Sequence, residues 1–131
     1  MTIERRIAGQ ARDLVSRQVQ KDAKHEAESK YRALCESFPI LLRSAGLAQT
    51  VAFLRAKGKG EGSKANEYSA LYGDLEKQFR NVGFLENEAL SERAADAKLS
   101  QSDYRLLSEI AMKAALWHKR LAQALLRKKG D

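Results

Sequence analysis

Apolar residues recur at three- and four-residue intervals along most of the chain, and no stretch alternates apolar with polar residues as a half-buried strand does. That period fits the face of a helix and no other regular structure, so the expected fold is all-α. With 131 residues and one proline, the chain suits a single helical domain over 1–131, since its length allows one real core and not two. The segmentation predicts a bundle of about six helices ending in a long C-terminal one.

Each segment carries its own signal. Ile3, Ile7, Ala11, Leu14 and Val15 share one stripe, while Arg5, Arg6, Arg12, Arg17 and Lys21 lie around the rest of the same helix, giving it a cationic exterior. A second helix runs through Tyr31, Leu34 and Cys35 and is expected to stop before Pro39, whose ring disfavours helical geometry in the residue ahead of it. Pro39 then opens a dense apolar block reaching Lys57, broken at Gly46, where a left-handed residue would end one helix and start another. This pair is the expected centre of the core. The run from Gly58 to Ser63 reads as a flexible loop; it is no phosphate loop, because the order is Gly62-Ser63-Lys64 and a helix precedes it. Ser63 is the expected cap of a helix through Tyr68, Leu71, Tyr72, Leu75, Phe79 and Val82, stopped by Gly83. Leu90, Ala94 and Ala97 give a short helix, and Ser100 with Asp103 resembles a capping box opening the longest helix, to about Lys128.

Catalytic chemistry finds no support in the pattern. His25 and His118 fall on different helices, carboxylates such as Glu67, Asp103 and Glu109 do not stand at metal-ligand spacing from either, and no nucleophile motif is present. His118 falls inside an apolar arc and is expected to be a buried, hydrogen-bonded histidine. Cys35 stands alone, which excludes an internal disulfide and suits a core position. No enzyme activity, metal or cofactor is therefore expected. The N-terminus lacks the apolar run of a secretory signal, no segment is expected to reach a membrane span, and the expected compartment is the cytoplasm.

Charge points to a partner. The 24 Lys and Arg exceed 17 Asp and Glu, giving +7 and a pI near 9.7, a field that attracts polyanions, although a surplus of this size also serves solubility. In the last helix, with Trp117 as origin at about 100° per residue, Leu107, Ile110, Ala114, Leu121 and Leu125 form a core-facing arc. Lys113, Arg120 and Arg127 fall on the other side of Trp117, at seven-residue spacing and roughly 10 Å apart, a track suited to phosphates. An ordinary solvated face, with Glu109 pairing to Lys113, fits the same spacing. Met112 and Leu116 lie opposite the core arc and are expected to be exposed as a partner interface, which also admits a helical protein-interaction adaptor with no nucleic-acid role.

Two blocks carry a family resemblance. Phe38-Pro39, Leu41-Leu42-Arg43, Gly46-Leu47, Gln49, Ala52-Phe53-Leu54 and Lys57 form the first; Tyr104, Leu107, Glu109, Ala111, Trp117, Lys119-Arg120 and Ala122 form the second. In order and residue type they resemble the small helical subunit of the type III-B CRISPR (Cmr) RNA-targeting effector complex. The resemblance implies a non-catalytic structural subunit in antiviral defence. Its partners would be guide RNA and target RNA, other Cmr subunits including the backbone and large polymerase-like subunits, and copies of itself. It implies that copies stack into a short filament lining the groove for target RNA, with sequence read by base pairing. On this reading Arg43, Lys119 and Arg120, from the family-like blocks, and Lys113 and Arg127, from helical geometry, contact RNA phosphates, while Trp117 anchors the last helix.

Overall fold

The computed structural model describes residues 2–19, 26–58 and 66–130. Among these, helices α1 (Ile3–Ser16), α2 (Glu26–Gly58), α3 (Glu67–Asn81), α4 (Leu90–Ala94) and α5 (Gln101–Leu125) follow one another without a strand. The all-α expectation holds. Among the described residues five elements follow one another, α2 counting as one although it is broken at Gly46, in keeping with the expected bundle of about six; the stop expected before Pro39 does not occur. Pro39 lies buried inside α2; its missing N–H removes one helical bond, a loss on the order of 3 kcal/mol. Burial of Phe38 and Leu42 on either side of it, 0% and 7% exposed, offsets that loss.

The break expected at Gly46 is present. Its φ of 82° and ψ of 169° are non-helical, so α2 is geometrically two helices placed end to end. Two contacts hold the joint: Ala48 N donates to the Tyr104 hydroxyl at 3.1 Å, and Thr50 Oγ1 donates to Leu41 O at 3.2 Å. The first satisfies an N–H that the restarted helix leaves without an internal partner. By length and composition α2 would also pass as a membrane span, which revises the expectation that no segment does. Here its apolar residues Phe38, Leu47, Val51 and Leu54 are the middle of the core.

α3 and α5 both pack on α2, and α1 lies against α5 and α3. Leu71, Leu75 and Phe79 of α3 meet that core from one side. α5 approaches through Leu107, Ile110, Ala111, Ala114, Ala115, His118 and Ala122. The alanines displace the buried arc from the one expected, and Leu125, expected inside it, is 43% exposed. Small side chains let the helices come close, so the alanines share the contact face with Leu107, Ile110 and His118.

The caps follow local chemistry. Thr2 Oγ1 accepts from Arg5 N, and Asn66 with Ser69 forms a reciprocal capping box on α3. That cap replaces the expected Ser63, which lies with Lys59 to Gly62 of the expected loop outside the described residues. Gly83, with φ of 85°, follows α3 as expected. The Ser100 hydroxyl accepts from Asp103 N at 3.1 Å, the serine half of the expected box.

Gly46 occupies a backbone region essentially closed to L-residues, although a Cβ there would meet only Tyr104 Oη at 3.7 Å. Gly46→Ala should therefore lower stability by about 1–3 kcal/mol through backbone strain alone. Urea denaturation checks this, with an unchanged midpoint as the contrary result.

Candidate nucleic-acid interface

The interior of the bundle is tied by a polar chain. Tyr31 of α2 donates its hydroxyl proton to Asp74 Oδ2 of α3 at 2.7 Å, and the same hydroxyl oxygen lies 3.2 Å from His118 Nδ1 of α5. His118 Nε2 lies 2.7 Å from Gln78 Oε1, and Gln78 Nε2 donates to Ile7 O of α1 at 3.3 Å. His118 is thus a buried, hydrogen-bonded residue, as its position in the sequence implied. Burial lowers its pKa from 6.5 to about 4. Burial raises the Asp74 carboxyl from 3.8 to about 6, against the opposing effects of Tyr31, Lys77 and Arg17. Cys35 is fully buried nearby, its thiol pushed up by burial, so it is a core residue. His25 lies outside the described residues.

The expected cations divide into distinct environments. Arg43 is exposed on α2. Lys113 pairs with Glu4 of α1 at 3.7 Å, both side chains about half exposed, which makes the pair weak and readily screened. Lys119 is half-buried, while Arg120 is exposed with its guanidinium 5.8 Å from the centre of the Trp117 ring. That contact has cation–π geometry. Trp117 itself is half-buried against the core.

Arg127 departs from the helical track. α5 ends at Leu125 and Leu126 is extended, so the residue no longer continues the line from Lys113 and Arg120. Its Nε and Nη2 donate to the Glu28 carboxylate at 3.0 and 3.1 Å, and its backbone N–H donates to the same carboxylate at 2.6 Å. The Glu28 side chain is 0% exposed, so Arg127 supplies the counter-charge a buried carboxylate requires. Arg32 Nη1 holds Leu126 O at 2.8 Å beside it. Leu126 is 4% exposed. Together these contacts draw the chain out of the helix before the expected Lys128.

Met112 and Leu116 are half-buried, Met112 against the core, rather than the exposed pair expected. The large exposed hydrophobics include Ile40, Phe53, Leu106 and Leu125 instead. Sequence reasoning also missed Tyr31, Asp74 and Gln78 as a linked set. Their spacing marks each as one residue on a helix face, and only the packing of α2 on α3 joins them.

The architecture defines a small helical-bundle protein with a polar spine and a basic exterior. Residues 3–125 match the family model described as CRISPR-associated protein (Cas_Cmr5), and the chain belongs to that family. It is 36% identical over 108 residues to the CRISPR system Cmr subunit Cmr5 of Thermus thermophilus, covering 82% of this chain and 85% of that protein. A crystal structure of a CRISPR-associated Cmr5 family protein, also from Thermus thermophilus, superposes with a TM-score of 0.74 at 31% identity, over 97% of this chain and 100% of that one. The type III-B Cmr resemblance read from the two sequence blocks is thereby established.

Two measurements follow from these contacts. Because the half-buried Trp117 ring loses less than a fully buried one, Trp117→Ala should cost about 2 kcal/mol, below the roughly 3–5 kcal/mol of a core tryptophan; a thermal melt checks it. The pH behaviour of the spine has two opposing parts. His118, depressed in the fold to about 4, contributes stability that is lost as pH falls from 6.5 toward 4. Asp74, raised to about 6, contributes stability that is lost as pH rises from 3.8 through 6. The two offset each other between about pH 4 and 6, so Asp74→Asn should unmask a stability that rises with pH in that window. Urea midpoints across the window read this directly, and an equally flat profile in the variant would contradict it.

Proposed function

We propose that this chain is a non-catalytic subunit of a Cmr-type RNA-guided complex that holds the RNA backbone with cations on the outside of a rigid bundle. Arg43, Lys113, Lys119 and Arg120 make the contacts, and Arg127 serves the fold by neutralising Glu28. Phosphate contacts of this kind fix register without reading bases, which leaves sequence recognition to pairing between guide RNA and target RNA. The other partners are Cmr subunits, including the backbone and large polymerase-like subunits, and further copies of this chain.

The observation that carries this reading is the excess of positive charge in a chain whose relative is named as a Cmr subunit. Arg120 is also held over Trp117, which limits its rotamers before a strand arrives and reduces the entropy lost on contact. The non-catalytic role is supported by the groups with shifted protonation: His118 and Asp74 lie within the spine and are engaged there.

Purification from the native cell should bring down larger protein subunits together with a short guide RNA; recovery of proteins without RNA would favour an adaptor. For the isolated chain, Lys113→Gln with Arg120→Gln should flatten the salt dependence of single-stranded RNA binding by roughly 1.4 in log–log slope, about 0.7 per phosphate contact. A slope equal to that of the parent chain would discredit the α5 edge.

A further inference from the structure

A second cationic surface lies between α1 and α3. Two adjoining clefts of about 490 and 580 Å³ share Gln10, Asp13 and Asn81. Their walls carry Arg5, Arg6, Arg12 and Arg17 from the α1 segment and Lys77 and Arg80 from α3, against the lone carboxylate of Asp13 among the described lining residues. Arg80 is partly committed, since it donates to Glu86 O at 3.1 Å and Glu88 O at 3.4 Å and lies 4.0 Å from Glu76. Arg17 and Lys77 also act on the Asp74 carboxyl behind the cleft wall. Arg5, Arg6 and Arg12 stand exposed along α1. From Arg5 to Arg17 the helix rises about 18 Å, enough for several consecutive nucleotides.

We propose that this α1/α3 groove binds the sugar–phosphate backbone of single-stranded RNA, as a second contact beyond the α5 edge. The inference rests on reading the chain as an RNA-contacting subunit. The two surfaces adjoin, because Lys113 of α5 touches Glu4 at 3.7 Å and Arg5 is the next residue of α1.

Two further features suit this ligand. Gly9 lines the groove in the middle of α1, yet a Cβ built there meets nothing within 4 Å. Packing within the fold does not require a glycine at a position where it weakens the helix; an approaching backbone benefits from the missing side chain. Gln10 Oε1 is buried at the groove wall and has no hydrogen-bond partner among the described residues. A ribose 2′-hydroxyl supplies the donor that this acceptor needs, and it distinguishes RNA from DNA. Among the described residues no aromatic ring lines either cleft, so the groove suits backbone rather than stacked bases.

The test titrates the full chain into a labelled oligouridylate across a salt series, beside Arg12→Gln with Lys77→Gln, Lys113→Gln with Arg120→Gln, and Gly9→Leu. The groove pair should weaken binding several-fold and flatten the slope by roughly 1.4, at about 0.7 per phosphate. Gly9→Leu should keep or raise the melting temperature, because leucine favours helix over glycine, and still reduce affinity, a combination that structural damage does not give. Binding by the groove pair with the parent's slope would overturn the groove and leave the α5 contact standing. No binding by the parent chain at low salt overturns both readings. Poly-glutamate bound as tightly as the oligouridylate would reassign the groove to an acidic protein and overturn the RNA assignment.

Discussion

The fold depends on a line of buried hydrogen bonds that threads all four longer helices. Asp74 and Gln78 of α3 reach Tyr31 of α2 and His118 of α5, and Gln78 extends the line to a backbone carbonyl of α1. Apolar packing alone would tolerate a range of rotations of these helices about their axes. A polar chain does not, because each buried member left without its partner costs on the order of 1–3 kcal/mol. The spine therefore selects one arrangement of the bundle, and the placement of the cations carried on those four helices follows from it.

The same logic explains the irregular places along α2. At its start, Glu28 sits with a fully buried side chain that Arg127 of the returning C-terminal segment neutralises. In its middle, Gly46 turns the backbone so that the second half packs at a new angle, and Tyr104 of α5 accepts the N–H released there. The break at Gly46 is thus matched by a partner from α5, which places the two family-like sequence blocks in direct contact.

Much of this is legible in the sequence, and the parts that are not share a cause. Helical period, the glycine break, the turn at Gly83 and the serine cap at Ser100 are local properties, and all are present in the structure. Pro39 departs from expectation because its local cost is outweighed by burial of Phe38 and Leu42 around it. The buried arc of α5 is displaced because alanines carry little weight in a hydrophobic pattern yet form the close contacts. Arg127 lies on the helical projection only while the helix continues, and its release depends on Glu28 and Arg32, about a hundred positions earlier. Among the candidate contacts, Arg43 and Arg120 are exposed as the pattern implied, whereas Met112 and Leu116 are half covered.

The ion pair between Lys113 and Glu4 also bears on selectivity. In the proposed RNA-contacting role, an incoming anion competes with a carboxylate that already lies 3.7 Å from the ammonium. A lone phosphate or small metabolite gains little from that exchange, whereas a polymer engaging neighbouring cations at the same time spreads the loss over many contacts. Under the RNA-contacting role proposed above, a resident acidic side chain would favour extended strands over monomeric anions.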